Sequence, residues 1–290
     1  MDKEGLASQG AHPYQGKRIV LTSKHDKLEL VKPFFEQLVD CEVFEEKLDT
    51  DQLGTFSGEI ERTEPPRETA IRKAKLGMSA TGARIGIASE GSIGPDPAIA
   101  FLHSDIEYCL LVDEENEIVI SEMHRSFEIV AVTIRAIPGQ DLSEFLQRAD
   151  FPNHALIVSP HESDKSNCIK GIRDNESLDR AISVCAELSP DGSVIIESDF
   201  RAMFSPSRQK NIAEAARLLA IRVANLCPQC QMPGWGRTGY EKGLHCSECG
   251  QHSPNAVHAE VLGCVKCDYT QRGNVIATEI DPAQCSFCNP

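Results

Sequence analysis

Apolar and polar positions follow two periods along this chain. Residues 17–23 (KRIVLTS) are a short apolar run with polar ends, which predicts a buried strand. Over residues 25–39, Leu28, Val31, Phe34, Phe35 and Leu38 recur at helical spacing, and Pro33 predicts a kink. A second strand is predicted over 41–48, followed by an acidic, glycine-containing loop over 49–65, a length that often carries function. Pro66 suits the first position of a helix, and the Ala-, Lys- and Arg-rich stretch 67–81 continues it. Residues 84–88 predict a strand and 89–95 a sharp, turn-rich loop. Three strands follow over 107–113, 117–122 and 127–136, the first two joined by a turn at 114–116. A short helix is predicted over 140–149, strands over 155–159 and 168–172, a helix over 176–188 and a strand over 192–197. Ser205 then caps a helix that has Pro206 at its first position and reaches residue 225.

This alternation predicts an α/β (α+β) body with a mixed central sheet flanked by helices. The body spans 17–226, with residues 137–226 either completing it or forming a second lobe beside 17–136. Residues 1–16 are polar and unpatterned, which predicts a disordered lead-in. The remainder, 227–290, has few large apolar side chains and a different organisation.

That organisation is set by cysteine. Four Cys-x-x-Cys knuckles stand in order: Cys227/Cys230, Cys246/Cys249, Cys264/Cys267 and Cys285/Cys288. Fifteen residues separate the first two knuckles and seventeen the last two, so both blocks have the spacing of a zinc ribbon. Four thiolates close a tetrahedron with no open position, so each of two Zn2+ sites is expected to be structural. Each ion could contribute on the order of 10 kcal/mol to folding the module. Local pairing, first knuckle with second and third with fourth, has the shorter loops to close and is favoured over an interleaved cross-brace.

Composition narrows the function classes. The chain is 41% apolar and 25% charged, ordinary for a globular protein, with a formal charge of −15. That charge argues against nucleic-acid or anionic-membrane partners. The module does not escape it: from Asn225 on there are four Lys/Arg and six Asp/Glu, so the basic footprint of a nucleic-acid binder is absent. No apolar run approaches the ~18 residues of a membrane span. With no charged-then-apolar export pattern at the N-terminus, free cysteines point to a reducing cytoplasm. Cys41, Cys109, Cys168 and Cys185 read as small core residues.

Candidate chemistry gathers where strands end and helices begin, the ligand-binding edge of α/β sheets. Thr22, Lys24 and Lys27 follow the first strand, Glu68 opens a helix that also carries Lys73, and Ser89, Glu90 and Ser92 follow the third strand. Two carboxylates and two lysines converging on one cleft could hold Mg2+ and a phosphate chain. Each residue also has a plainer reading: Glu68 as a helix-dipole partner, the lysines as solvated charges, Glu90 as a turn former. Asp199, Arg201 and Arg208 surround a later helix start and could attract an anion or tie down a loop.

Two resemblances follow from these residues. Thr22-Ser23-Lys24-His25-Asp26-Lys27-Leu28-Glu29, Glu68-Thr69-Ala70-Ile71-Arg72-Lys73-Ala74 and Ile87-Ala88-Ser89-Glu90-Gly91-Ser92-Ile93 resemble the opening strand, the E-x-A-x-x-K-A helix and the acidic loop of inosine/xanthosine triphosphate pyrophosphatases. Ser89-Glu90 stands where that family has two acids. The resemblance implies an Mg2+-dependent nucleotide hydrolase with Glu68 and Glu90 as catalytic acids and Lys27 and Lys73 on the phosphates. Glu197-Ser198-Asp199-Phe200-Arg201-Ala202, Pro206-Ser207-Arg208, Pro233-Gly234-Trp235-Gly236 and the cysteine knuckles resemble a bacterial family of unknown function with a double four-cysteine module. Two functions are therefore expected: a phosphoanhydride hydrolase, or a non-catalytic binder of a small phosphorylated ligand. In the second, the zinc module docks a protein partner, with Trp235 as contact point or as packing on a knuckle.

Overall fold

The computed structural model describes residues 11–50, 64–161 and 167–290. Its first sheet contains β1 (Arg18–Ser23), β2 (Glu42–Lys47), β3 (Ile85–Pro95), β4 (His103–Asp113) and β5 (Ile118–Ser126) in the order β2-β1-β3-β4-β5. β1 runs parallel to both β2 and β3, and the β3–β4 and β4–β5 pairs are antiparallel. Helix α1 (Leu28–Val39) buries Val31, Phe35 and Val39, one stripe at i, i+4 and i+8, against Ile19, Leu21, Ile87 and Leu111. It ends at Asp40, which takes a left-handed φ of 57°. Helix α2 (Pro66–Thr81) covers the opposite face with Ala70, Ala74 and Met78, packed on Val20, Ala88, Leu110 and Val112. Its Gly82 cap has the left-handed φ of 73° that glycine adopts at no steric cost. The expected loop from 49 to 65 falls mostly on residues outside those described.

The second sheet is built from β6 (Thr133–Ala136), β7 (Leu156–Pro160), β8 (Ile169–Ile172) and β9 (Val194–Ser198) in the antiparallel order β6-β9-β7-β8. Helices α3 (Ser143–Arg148) and α4 (Asn175–Glu187) cover it through Phe145, Leu178, Ile182 and Cys185. Helix α5 (Pro206–Ala224) then returns to the first sheet and buries Ala215, Ala216, Leu219 and Val223 beside α1. Two sheets thus share the body, linked by α5.

Three expectations need correction. The 89–95 segment is not a loop: β3 continues through it, paired residue for residue with β4 from Ile85↔Asp113 to Pro95↔His103. Its glycines read as turn signals, but Gly91 has a packing role given below. The lead-in does not reach residue 16: Tyr14 is fully buried and donates to Asp113 Oδ2 at 2.7 Å, while residues 1–10 lie outside those described. Ser205 precedes α5 but makes no side-chain cap.

Three strands complete the chain: β10 (Gly236–His245), β11 (His252–Gly263) and β12 (Thr270–Val275), in a three-stranded antiparallel sheet. The base of this sheet rests on the body, where Met232 and Val265 pack on the α1/α5 core. Lys266 Nζ donates to Asn116 O at 2.7 Å. Among the described residues no helix is long and apolar enough to cross a membrane.

Candidate functional site: cysteine tetrads and a buried ion cluster

The eight knuckle cysteines form two groups, Cys227/Cys230/Cys264/Cys267 and Cys246/Cys249/Cys285/Cys288, and within each the sulfurs lie within 4.8 Å of one another. Cross-knuckle separations are 3.8 Å for Cys227–Cys267, 3.6 Å for Cys230–Cys264, 3.8 Å for Cys246–Cys288 and 3.7 Å for Cys249–Cys285. A tetrahedron with Zn–S bonds of about 2.3 Å has S–S edges of about 3.8 Å, so both tetrads fit a zinc ion. The backbone N–H groups of Lys266 and Cys267 point at Cys264 Sγ (3.3 and 3.4 Å), which favours its thiolate. With all four positions filled by sulfur, such a site has a structural role.

The pairing is interleaved, which corrects the expected local ribbons. The hairpin is the cause. β10 carries the chain away from the first knuckle to the second, β11 brings it back to the third beside the first, and β12 starts the return that puts the fourth beside the second. The register Gly236↔Gly263 at the base and His245↔His252 at the tip fixes this alternation. Loop-closure reasoning treats the connection as flexible coil, but here it is stiff strand. Ten residues of β10 span on the order of 33 Å. Trp235 stacks on Tyr269 at 5.4 Å between centroids, and Gly234, at φ 99°, leaves no room for a Cβ beside Ile120 and Val265. Trp235 therefore packs on the knuckles.

The second constellation lies in the body. β1 and β3 are register partners only at Val20↔Gly86 and Leu21↔Ile87. The chain leaves β1 over one face through α1 and returns to β3 over the other through α2. The carboxyl ends of β1 and β3 are thus the crossover point where open α/β sheets form a ligand crevice. Lys27, immediately before α1, is buried and donates to Ser89 Oγ at 2.9 Å. From α2, Lys73 pairs with buried Glu90. From α5, Arg208 Nε donates to Glu107 Oε1 at 2.6 Å, both side chains being essentially inaccessible, and its Nη1 donates to Phe200 O at 2.5 Å. Gly91 faces Glu107 in the ladder, and a Cβ there would sit 2.3 Å from Glu107 Oε1 and 2.7 Å from Arg208 Nη2. The glycine makes room for the ion pair.

Burial and the nearby Arg208 guanidinium push Lys27 down to about 8. Two residues along β4 from Glu107, Asp105 is pushed up to about 7 by burial and by the Glu107 charge, against the Asn211 amide that donates to it at 2.9 Å. Asp105 Oδ1 and Glu107 Oε2 are both buried without a donor. Lys27, Lys73 and Arg208 thus face Glu90, Glu107 and Asp105, the last held toward its neutral form.

A family model described as "Domain of unknown function (DUF6671)" matches residues 73–290. The chain belongs to the DUF6671 family. The matched span takes in all eight knuckle cysteines together with Lys73, Glu90, Glu107 and Arg208. No curated protein matches this DUF6671 chain.

Of the other expected site residues, Thr22 is buried with its hydroxyl against α2, where a Cβ on Gly77 would lie 2.0 Å from Thr22 Oγ1. Lys24 pairs with Asp49 at 2.7 Å on the surface. Glu68 is half exposed and held by Arg67 at 2.9 Å, away from the buried cluster, and Ser92 is exposed. Arg201 forms a two-pronged pair with buried Asp199 (2.6 Å at its shortest), whose Oδ2 also accepts from Gly171 N, and stacks over Phe204. Sequence reasoning passed over Glu107 and Asn211, and Asp105, which reads as a solvated strand end, is fully buried. A signal was present: strand alternation puts positions 105 and 107 on the same face as Cys109 and Leu111, which is the core face.

Proposed function

We propose that this DUF6671 protein binds a small phosphorylated ligand, of the nucleotide or phosphoanhydride class, at the carboxyl ends of β1 and β3. One observation carries the reading: Lys27 just before α1, Lys73 from α2 and Arg208 from α5 converge on one crossover crevice, in a chain whose formal charge is −15. A protein this acidic gains nothing for solubility by burying cations, and a ligand phosphate is the group that three such donors complement. Calorimetry with a nucleoside triphosphate and inorganic pyrophosphate tests it. Binding is expected to weaken at least about tenfold in Lys73→Met, and no heat from either ligand would overturn it.

Hydrolysis of that ligand is the second reading, favoured by the buried Glu90 carboxylate. The acid this reading uses is Glu90; Glu68, expected beside it, is half exposed and held by Arg67. In this reading Mg2+ is held at Glu90, with Lys27 and Lys73 on the phosphates. Pyrophosphate release abolished by Glu90→Gln supports it; release that survives the substitution rejects it. The distal end of the cysteine module, where Cys249, Cys288 and Phe287 are exposed, is the end that would meet a protein partner.

A further inference from the structure

His154, Asp150 and Ser207 belong neither to the crevice nor to the tetrads. Asp150, on the turn after α3, carries its carboxylate Oδ2 to His154 Nδ1 at 2.8 Å. On the other side of the ring, His154 Nε2 lies 2.9 Å from Ser207 Oγ. The same nitrogen accepts from Ser207 N at 3.1 Å, which fixes the tautomer: Nδ1 carries the proton and gives it to Asp150, leaving Nε2 as the base. Asp150 is itself held, since its Oδ1 accepts from Asn153 Nδ2 at 3.0 Å. The Asn153 amide and His154 together keep the Asp150 carboxyl below its ordinary range. The imidazole is buried, and Ser207 is half-buried in the first turn of the 19-residue α5. Ser207 Oγ also accepts from Val130 N at 3.2 Å.

We propose that Ser207, His154 and Asp150 are a nucleophile, base and orienting acid that cleave a small carboxylic ester. A hydroxyl, an imidazole and a carboxylate joined by two hydrogen bonds of 2.8–2.9 Å are what acyl transfer requires, and they are recognised by geometry, whatever their order in the chain. Ser207 Oγ adds to the ester carbonyl carbon while its proton passes to His154 Nε2. The bond to the alcohol oxygen breaks, and His154 returns the proton to the leaving alcohol. Water then repeats the sequence on the acyl-serine, releasing the acid and restoring the hydroxyl. The positive amino end of α5, where Ser207 sits, favours the developing oxyanion. A carboxylic ester is favoured over a phosphate ester because the Arg201 guanidinium is committed to Asp199.

The test uses the full chain, a fluorophosphonate probe located by peptide mass spectrometry, and p-nitrophenyl acetate turnover. One probe per chain on Ser207 is expected. Turnover should fall at least about 100-fold in Ser207→Ala and in His154→Gln. Asp150→Asn leaves a half-exposed side chain of the same size, so the fold persists, and it should slow labelling as well. An unlabelled Ser207 in the wild-type chain overturns the proposal, as does labelling at the same rate in Asp150→Asn. In either case the three residues would be a cap for α5 alone.

Discussion

Because β10 is a stiff spacer, removing the right knuckles two at a time decides the pairing. In the interleaved arrangement, replacing Cys227, Cys230, Cys264 and Cys267 by Ser deletes one complete site and leaves the other intact. Replacing Cys227, Cys230, Cys246 and Cys249 instead takes two ligands from each. The four sulfurs left, those of Cys264/Cys267 and Cys285/Cys288, stand at opposite ends of the hairpin, whose strand β10 spans on the order of 33 Å, so they do not converge on one ion. Structural four-thiolate sites hold zinc with about 10–16 kcal/mol, and losing half of the ligands removes on the order of half of that, enough to let a chelator strip the metal. Native mass spectrometry after mild chelation is expected to count two zinc ions in the parent, one in the first variant and none in the second. One retained ion in the second variant with none in the first would refute the interleaved pairing and restore the local ribbons.

Further outcomes follow from the body. Gly91→Ala forces a Cβ into the Glu107–Arg208 pair and should cost about 1–3 kcal/mol, read as a lower urea midpoint. Arg208→Met leaves Glu107 buried without its partner and should cost about 3–5 kcal/mol by the same measurement. Asp105 holds its proton to about pH 7 in the folded chain but releases it near pH 4 when unfolded. Its contribution is therefore fully present below about pH 4 and is lost as pH rises to about 7. Asp105→Asn should flatten that decline in a series of urea titrations across pH. Lys27, pushed down to about 8, should lose its charge in the ligand-free crevice above that pH, so calorimetric affinity for pyrophosphate should fall from pH 7 to pH 9.

The elements that depend on local pattern were legible. Helix α1, the Pro66 start of α2 and the strands at 18–23 and 42–47 stand where periodicity puts them, except that Val39 rather than Leu38 closes the buried stripe of α1. Errors arose where a residue's reason lies across space. Gly91 looks like a turn former because its function, admitting an ion pair from β4 and α5, is invisible in its neighbours along the chain. Asp105 looks like a solvated strand end until Asn211 arrives from α5 to donate to it. Tyr14 looks like part of a tail until Asp113 receives its hydroxyl. The cysteine spacing announced the ligands, since a knuckle is local, but not their grouping, which the hairpin length decides. Lys27, Lys73, Glu90 and Arg208 were singled out and do come together; Glu68, Lys24 and Ser92 were singled out and lie on the surface instead.

The interleaving also sets a timetable for the ribosome's product. The proximal thiolate cage is complete once Cys267 has been made, whereas the distal cage must wait for Cys288, with Cys246 and Cys249 held open in the meantime. A chain cut back before Cys285 would therefore keep the whole proximal tetrad, anchored on the body, and lose half of the distal one.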